Sequence, residues 1–133
     1  MTAAERTVAE FIERINAHDV AGLCERMTDD HRFTDATGSS FQGRDAMRAN
    51  WEEYLRMMPD FRIAATTLFA RGKVVAAFGT ASGTYAPDGK LTDANRWSMP
   101  AAWRAVVRGS KVAEWQVFVD NKPVYELLAR ASR

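Results

Sequence analysis

The chain has 133 residues, 18 Lys and Arg against 17 Asp and Glu, 47% hydrophobic content and a single cysteine. That length suits one domain, taken here as residues 1–133, and a chain of this size buries about two-thirds of its unfolded surface, so a core forms without staples. A net charge of +1 lacks the basic excess that phosphate binding wants, and one cysteine makes neither an internal disulfide nor a multi-cysteine zinc site, which fits a reducing, cytoplasmic compartment.

The first segment, MTAAERTVAEF, carries Glu5 and Glu10 and has no long apolar stretch, so it does not read as a signal peptide. Thr2 and Glu5 form a capping box, and Val8, Phe11, Ile12 and Ile15 follow on one helical stripe. Asn16-Ala17-His18 breaks that pattern. Asp19 then reads as the N-cap of a short second helix, with Val20, Leu23, Cys24 and Met27 as its buried face. Thr28-Asp29-Asp30 is a break, His31 to Asp35 a short strand, and Ala36 to Gly43 a loop by composition. Arg44 to Met58 is a third helix with Met47, Trp51, Tyr54, Leu55 and Met58 on one side, and Pro59 stops it.

From Phe61 onward the pattern is that of strands. Phe61–Ala70 and Lys73–Tyr85 are joined by a hairpin turn at Arg71-Gly72, and Ala86-Pro87-Asp88-Gly89 is a second turn. The longest unbroken apolar run, Val74–Phe78, is far short of a bilayer span, so no membrane partner is expected. In Asn95–Arg108, Trp97, Met99, Ala101, Trp103, Ala105 and Val107 share one face, and Pro100 predicts an edge or a bulge. Gly109-Ser110 is a third turn, Lys111–Asp120 a last strand, and Pro123 opens a short terminal helix. Helices followed by a run of strands predict an α+β fold, with a bent antiparallel sheet over residues 61–120 and the N-terminal helices on its concave face.

Three segments carry a resemblance: FIERINAHDVAGLCERMTDD, FTDATGSSFQGRDAM and GSKVAEWQVFVDNKPVYELL. In this order and spacing, from Glu5 to Leu128, the chain resembles the SnoaL-like branch of the nuclear-transport-factor-2-like superfamily, which also contains ketosteroid isomerases and polyketide cyclases. The resemblance implies a conical, cystatin-like α+β barrel whose helices close an apolar pocket, usually in a homodimer. Relatives include isomerases, cyclases, dehydratases and epoxide hydrolases, and also non-catalytic transport or assembly modules.

By position, Phe33-Thr34-Asp35-Ala36-Thr37-Gly38 matches the isomerase segment that carries the proton-moving base. An apolar cone would raise the basicity of Asp35 by desolvation; the other reading is a carboxylate that turns the following loop. The rest of the isomerase apparatus is missing. Phe11 stands where those enzymes carry an oxyanion-donating tyrosine, and Trp103 falls near their protonated acid, so strict steroid isomerisation is not expected. Asp120 resembles the late acid/base aspartate of the cyclases. Strand parity turns it away if Trp115, Val117 and Val119 face inward, and it then reads as a cap for the terminal helix or a partner of Lys122. Arg96 is either a group that orients an enolate or an ordinary surface arginine, and Arg96-Trp97-Ser98 lacks the first aspartate of the epoxide hydrolases.

Phe11, Trp51, Tyr54, Trp97, Met99 and Trp103 are the expected substrate-binding wall, although aromatic residues at such spacing also make plain core. Gly79, Ala81 and Gly83 share one strand face and leave room for a ligand or for close packing. His31 shares strand parity with Asp35, which directs it toward the pocket rim; with His18 it does not make a metal set. Cys24 reads as an inert core thiol, and no nucleotide-binding motif is present. The expected function is cofactor-independent proton transfer on an apolar carbonyl compound, an isomerisation, cyclisation or dehydration, with Asp35 as base. The alternative is a non-catalytic ligand-binding or assembly module. The outward set of Asn95–Arg108 includes Pro100, Ala102 and Val106, too apolar for a solvated face, and predicts a homodimer through the convex side of the sheet.

Overall fold

The computed structural model describes residues 1–131. Its elements run α1 (Ala3–Asn16), α2 (Val20–Glu25), β1 (Met27–Thr34), β2 (Ser40–Gln42), α3 (Arg44–Met57), β3 (Arg62–Arg71), β4 (Val74–Thr84), β5 (Arg96–Arg108), β6 (Lys111–Phe118) and α4 (Lys122–Ala131), with a single 3₁₀ turn at Asp93–Asn95 before β5. At the start of α1 the Glu5 amide donates to Thr2 Oγ1 at 3.1 Å, and the Thr2 amide donates to Glu5 Oε1 at 2.6 Å. Val8, Phe11, Ile12 and Ile15 form the buried stripe of that helix. Asp19 caps α2 by accepting from the Gly22 amide at 3.0 Å.

The sheet has the order β2-β1-β6-β5-β4-β3 and is an open, α+β arrangement rather than a closed barrel, with β2 and β3 at its edges. The 61–120 strands are antiparallel neighbours in sequence order, as their turns require. Two departures come from pairing that local pattern does not carry. First, β1 lies parallel to β6, with Phe33 opposite Trp115. It begins at Met27, which pairs with Val112, so the polar Thr28-Asp29-Asp30 segment lies inside a strand and Met27 is buried there rather than on α2. Second, Ser40–Gln42 is a strand, because it folds back antiparallel on β1 with Phe41 opposite Phe33.

Two bulges, with Thr66 as the extra residue in β3 and Ala113 as the extra residue in β6, add twist and bend the sheet. Pro100 sits in the middle of a central strand, yet β6 pairs with β5 only from Ala102 onward. On that side Pro100 has no ladder to break, so the edge expectation holds locally.

One face of the sheet meets the helices. Along β5 the residues from Trp97 to Val107 alternate between buried and outward positions without exception. Trp115, Phe11, Ile15, Leu23, Met27 and Ile63 are among the fully enclosed side chains of this layer. Each such burial is worth about 1.5–3 kcal/mol relative to exposure.

Candidate functional site

Between α3 and the inner face of the sheet lies a cavity of about 390 Å³. α3 contributes Met47, Trp51, Tyr54 and Met57 to its wall, because these positions recur at helical spacing on one side. β5 contributes Trp97, Met99 and Trp103 from its inward set, and β6 contributes Trp115 and Val117. Phe61 closes the space between the helix and the sheet, with its ring 5.0 Å from Tyr54 and 6.1 Å from Trp97. Trp103 and Trp115 stack at 6.3 Å and 18°. Phe33, Asp35, Ala36 and Phe41 come from the hairpin of β1 and β2.

Of the wall residues expected from sequence, Trp51, Tyr54, Trp97, Met99 and Trp103 meet at this cavity. Phe11 does not. It is fully buried behind the wall, with its ring 5.0 Å from Trp115, and is core rather than substrate contact. The small residues of β4 divide their roles. Ala81 lines the cavity. A Cβ on Gly79 would lie 1.9 Å from the Ala64 carbonyl oxygen, so that glycine serves close strand packing beside the β3 bulge. A Cβ on Gly83 would sit 3.1 Å from the Trp97 ring.

Asp35 combines both of its sequence readings. Its carboxylate turns the loop, with Oδ1 accepting from the Thr37 amide at 2.9 Å, the Thr37 hydroxyl at 2.6 Å and the Ser39 amide at 3.1 Å. The Gly38 amide donates to the Asp35 carbonyl at 3.0 Å. The three side-chain bonds fall on one carboxylate oxygen, and the residue also lines the cavity, two places beyond the inward Phe33. Burial pushes the Asp35 carboxyl up, but the hydrogen bonds from Thr37, Ser39 and Gly38 outweigh it and hold the group below its usual value. The upward shift expected from an apolar cone is therefore reversed: the loop donors stabilise the charged form more than partial burial penalises it.

Asp120 is exposed and does not line the cavity. Its Oδ1 accepts from the Lys122 amide at 3.0 Å, at the entrance to α4. It borders a wider, open depression of about 570 Å³ together with Thr37, Lys122, Tyr125 and Glu126. Arg96 is exposed and stands outside the cavity. His31 does not reach the rim either; it is fully buried, and its Nδ1 bonds the Val112 carbonyl at 2.7 Å. Burial pushes the His31 imidazole down toward its neutral form, so Nδ1 is the donor and Nε2 is left without a partner among the described residues. His18 Nε2 bonds the Phe61 carbonyl at 2.8 Å. Cys24 is buried, and burial pushes its thiol up, as suits an inert core residue.

Sequence reasoning missed Phe41, Asn50, Glu53, Met57, Phe61 and Asn121, which also line the cavity. Asn50, Glu53 and Met57 flank Trp51 and Tyr54 on the helix, so extending the apolar face by one position on each side would have found them. Phe41 carried no signal, because its segment reads as loop. No helix is long and apolar enough to cross a membrane among the described residues.

The fold recurs in solved structures. A provisionally assigned SnoaL-like polyketide cyclase from Shewanella denitrificans superposes with a TM-score of 0.82 at 14% identity, covering 98% of this chain and 99% of that one. An LEH-like epoxide hydrolase of M. tuberculosis gives 0.78 at 16%, covering 96% and 90%. A hypothetical protein of Catenulispora acidiphila with a ketosteroid isomerase-like fold, in complex with trimethylamine, gives 0.72 at 18%, covering 84% and 83%. At these identities the likeness concerns the fold alone. No curated protein matches the sequence. The model of the SnoaL-like domain family matches residues 8–115, most of the chain and all of the elements that build the cavity wall up to Trp115. The chain belongs to the SnoaL-like domain family.

Proposed function

We propose that the chain carries out cofactor-independent proton transfer on an apolar carbonyl compound held in the cavity, with Asp35 as the base. The observation that carries this reading is the asymmetric carboxylate: three donors grip Oδ1, which leaves Oδ2 as the oxygen available to a ligand at a cavity of about 390 Å³. That volume is within the range of small-molecule sites. A carboxylate held below its usual value is ionised at neutral pH and weakly basic, so it suits a C–H bond already acidified by a carbonyl. The same depressed value, together with Phe11 in place of a donor, supports the second reading, a ligand-binding module without turnover.

One experiment separates the two. 2-Tetralone, a bicyclic ketone with an activated C–H, is incubated with the protein in D₂O and its deuterium uptake followed by NMR. Proton transfer predicts accelerated uptake that Asp35→Asn abolishes while ketone binding persists. Binding without exchange by the wild-type chain would establish the module reading.

We also infer that a second copy of the chain covers the outer face of the sheet. Phe69 and Phe78 stack there at 5.9 Å, and Phe78, Ala102 and Phe118 lie in one row across β4, β5 and β6. These three phenylalanines are about half exposed, an unusual cost for a solvated face. The apolar patch runs from β6 across β5 and β4 to the edge strand β3, and in a two-fold pair the same patch would face itself. Light scattering should give twice the chain mass, and Phe78→Asp should give the single-chain mass with unchanged circular dichroism. A wild-type monomer at micromolar concentration would remove the inference.

A further inference from the structure

The polar groups of the cavity are sorted by kind. Two carboxylates, Asp35 and Glu53, line it, with the amides of Asn50 and Asn121, and no Lys, Arg or His does so among the described residues. Glu53 is occupied by Arg56, at 2.7 and 3.0 Å. The indole and phenol groups of the wall supply donors. Trp97 Nε1 donates to Met58 Sδ at 3.4 Å. Trp51 Nε1 has no acceptor and is sealed from solvent and cavity alike. The hydroxyl of Tyr54 also has no hydrogen-bond partner among the described residues, but it is not among the sealed atoms, and Tyr54 lines the cavity.

The position of that hydroxyl is fixed. The Tyr54 ring stands edge-on to Phe61 at 5.0 Å and 86°, and to Trp51 at 6.2 Å and 88°, so packing on two sides sets its orientation before a ligand arrives. Burial pushes the Tyr54 phenol well above its usual value, which keeps it a neutral O–H donor. A hydroxyl open to an apolar cavity and without a protein acceptor is a free donor for a ligand oxygen. An anionic ligand would instead bring its charge into an apolar space whose charged lining groups are both carboxylates.

We propose that the Tyr54 hydroxyl donates to the carbonyl oxygen of the ligand, and that the cavity thereby selects neutral ring ketones over hydrocarbons and carboxylates of the same size. This rests on the cavity being a ligand site, as proposed above. It assigns to α3 the donor that Phe11 does not supply from α1.

The test uses the full chain, wild type and Tyr54→Phe, with three matched probes: 2-acetylnaphthalene, 2-ethylnaphthalene and 2-naphthoate. Affinities are read by tryptophan fluorescence and confirmed by calorimetry. In the wild type the ketone should bind about fivefold to tenfold tighter than the hydrocarbon, the yield of one well-placed hydrogen bond, and the carboxylate should bind weakest. Tyr54→Phe should erase the advantage of the ketone and leave the hydrocarbon unchanged, a result that general damage to the wall would not give. Equal binding of ketone and hydrocarbon by the wild type, or a ketone preference that survives in Tyr54→Phe, would overturn the donor role while the cavity stands as a ligand site. Carboxylate binding as tight as that of the ketone would overturn the selection against anions. If none of the three probes binds, the donor role and the ligand-site reading fall together.

Discussion

Asp35 and Asp120 do the same local work at two ends of the chain and reach different surroundings. Each follows a strand, and each turns the backbone by accepting from the amide two residues on, Thr37 at 2.9 Å and Lys122 at 3.0 Å. Their strands, β1 and β6, are parallel neighbours, so both aspartates emerge at the same end of the sheet. The difference is parity. Asp35 lies two places beyond Phe33, whose inward position is shared with Trp115, while Asp120 lies two places beyond the exposed Phe118. A side-chain period of two places one carboxylate at the cavity and leaves the other in solvent. The shared bond to the amide two residues on therefore says little about role; the face of the strand decides it.

The largest effect that would break this comparison is catalytic. Asp35→Asn should lower deuterium uptake into 2-tetralone by at least about 10²-fold, the usual contribution of a general base, whereas Asp120→Asn should leave it nearly unchanged. The reverse outcome would mean that α4 moves in solution and brings Asp120 to the ligand. A smaller effect sharpens the structural half. Asp35→Ala removes three hydrogen bonds to a charged oxygen and should cost about 1–2 kcal/mol in urea denaturation, with Asp120→Ala costing less because it removes one at an exposed turn.

The smallest effect is in pH. The folded value of Asp35 lies below its unfolded value of 3.8, so the stabilisation from its ionised form is complete above that pH and is lost as pH falls through the lower folded value. The stability gap between the wild type and Asp35→Asn should accordingly be constant from neutral pH to about 5 and close in more acid solution. His31 adds a second slope. It is neutral in the fold and takes up a proton more readily when unfolded, so wild-type stability should decline as pH falls below 6.5, and His31→Gln should flatten that decline.

Much of the fold was legible because it is written in local pattern. The capping box of Thr2 and Glu5, the Asp19 cap, the apolar face of α3 and the alternation of β5 need only neighbours within a few residues. The parallel pairing of β1 with β6 joins segments some eighty residues apart, as in the His31 bond to Val112, and nothing in either segment alone specifies the partner. The cavity was half legible for the same reason. Inward parity picked out Trp97, Met99 and Trp103, and helical spacing picked out Trp51 and Tyr54. Phe11 satisfied the same rules and failed, because α1 lies behind Trp115 rather than beside the opening. The proton affinity of Asp35 was misjudged because its donors, Thr37 and Ser39, act through a loop geometry that composition does not encode.

The end of α1 has a consequence for how copies of the chain can meet. Asn16 Nδ2 donates to the Ile63 carbonyl at 2.8 Å, and Asn16 Oδ1 accepts from the Ile63 amide at 2.8 Å. One side chain thus occupies the outward donor and acceptor that an incoming strand would need at the start of β3, and His18 takes the Phe61 carbonyl beside it. An open sheet ordinarily invites extension at its margin, and extension by identical copies has no natural end. With Asn16 in place, a strand added at the start of β3 finds the Ile63 donor and acceptor already taken. Asn16→Ala frees that pair of groups, and its first expected sign is turbidity in a concentrated sample.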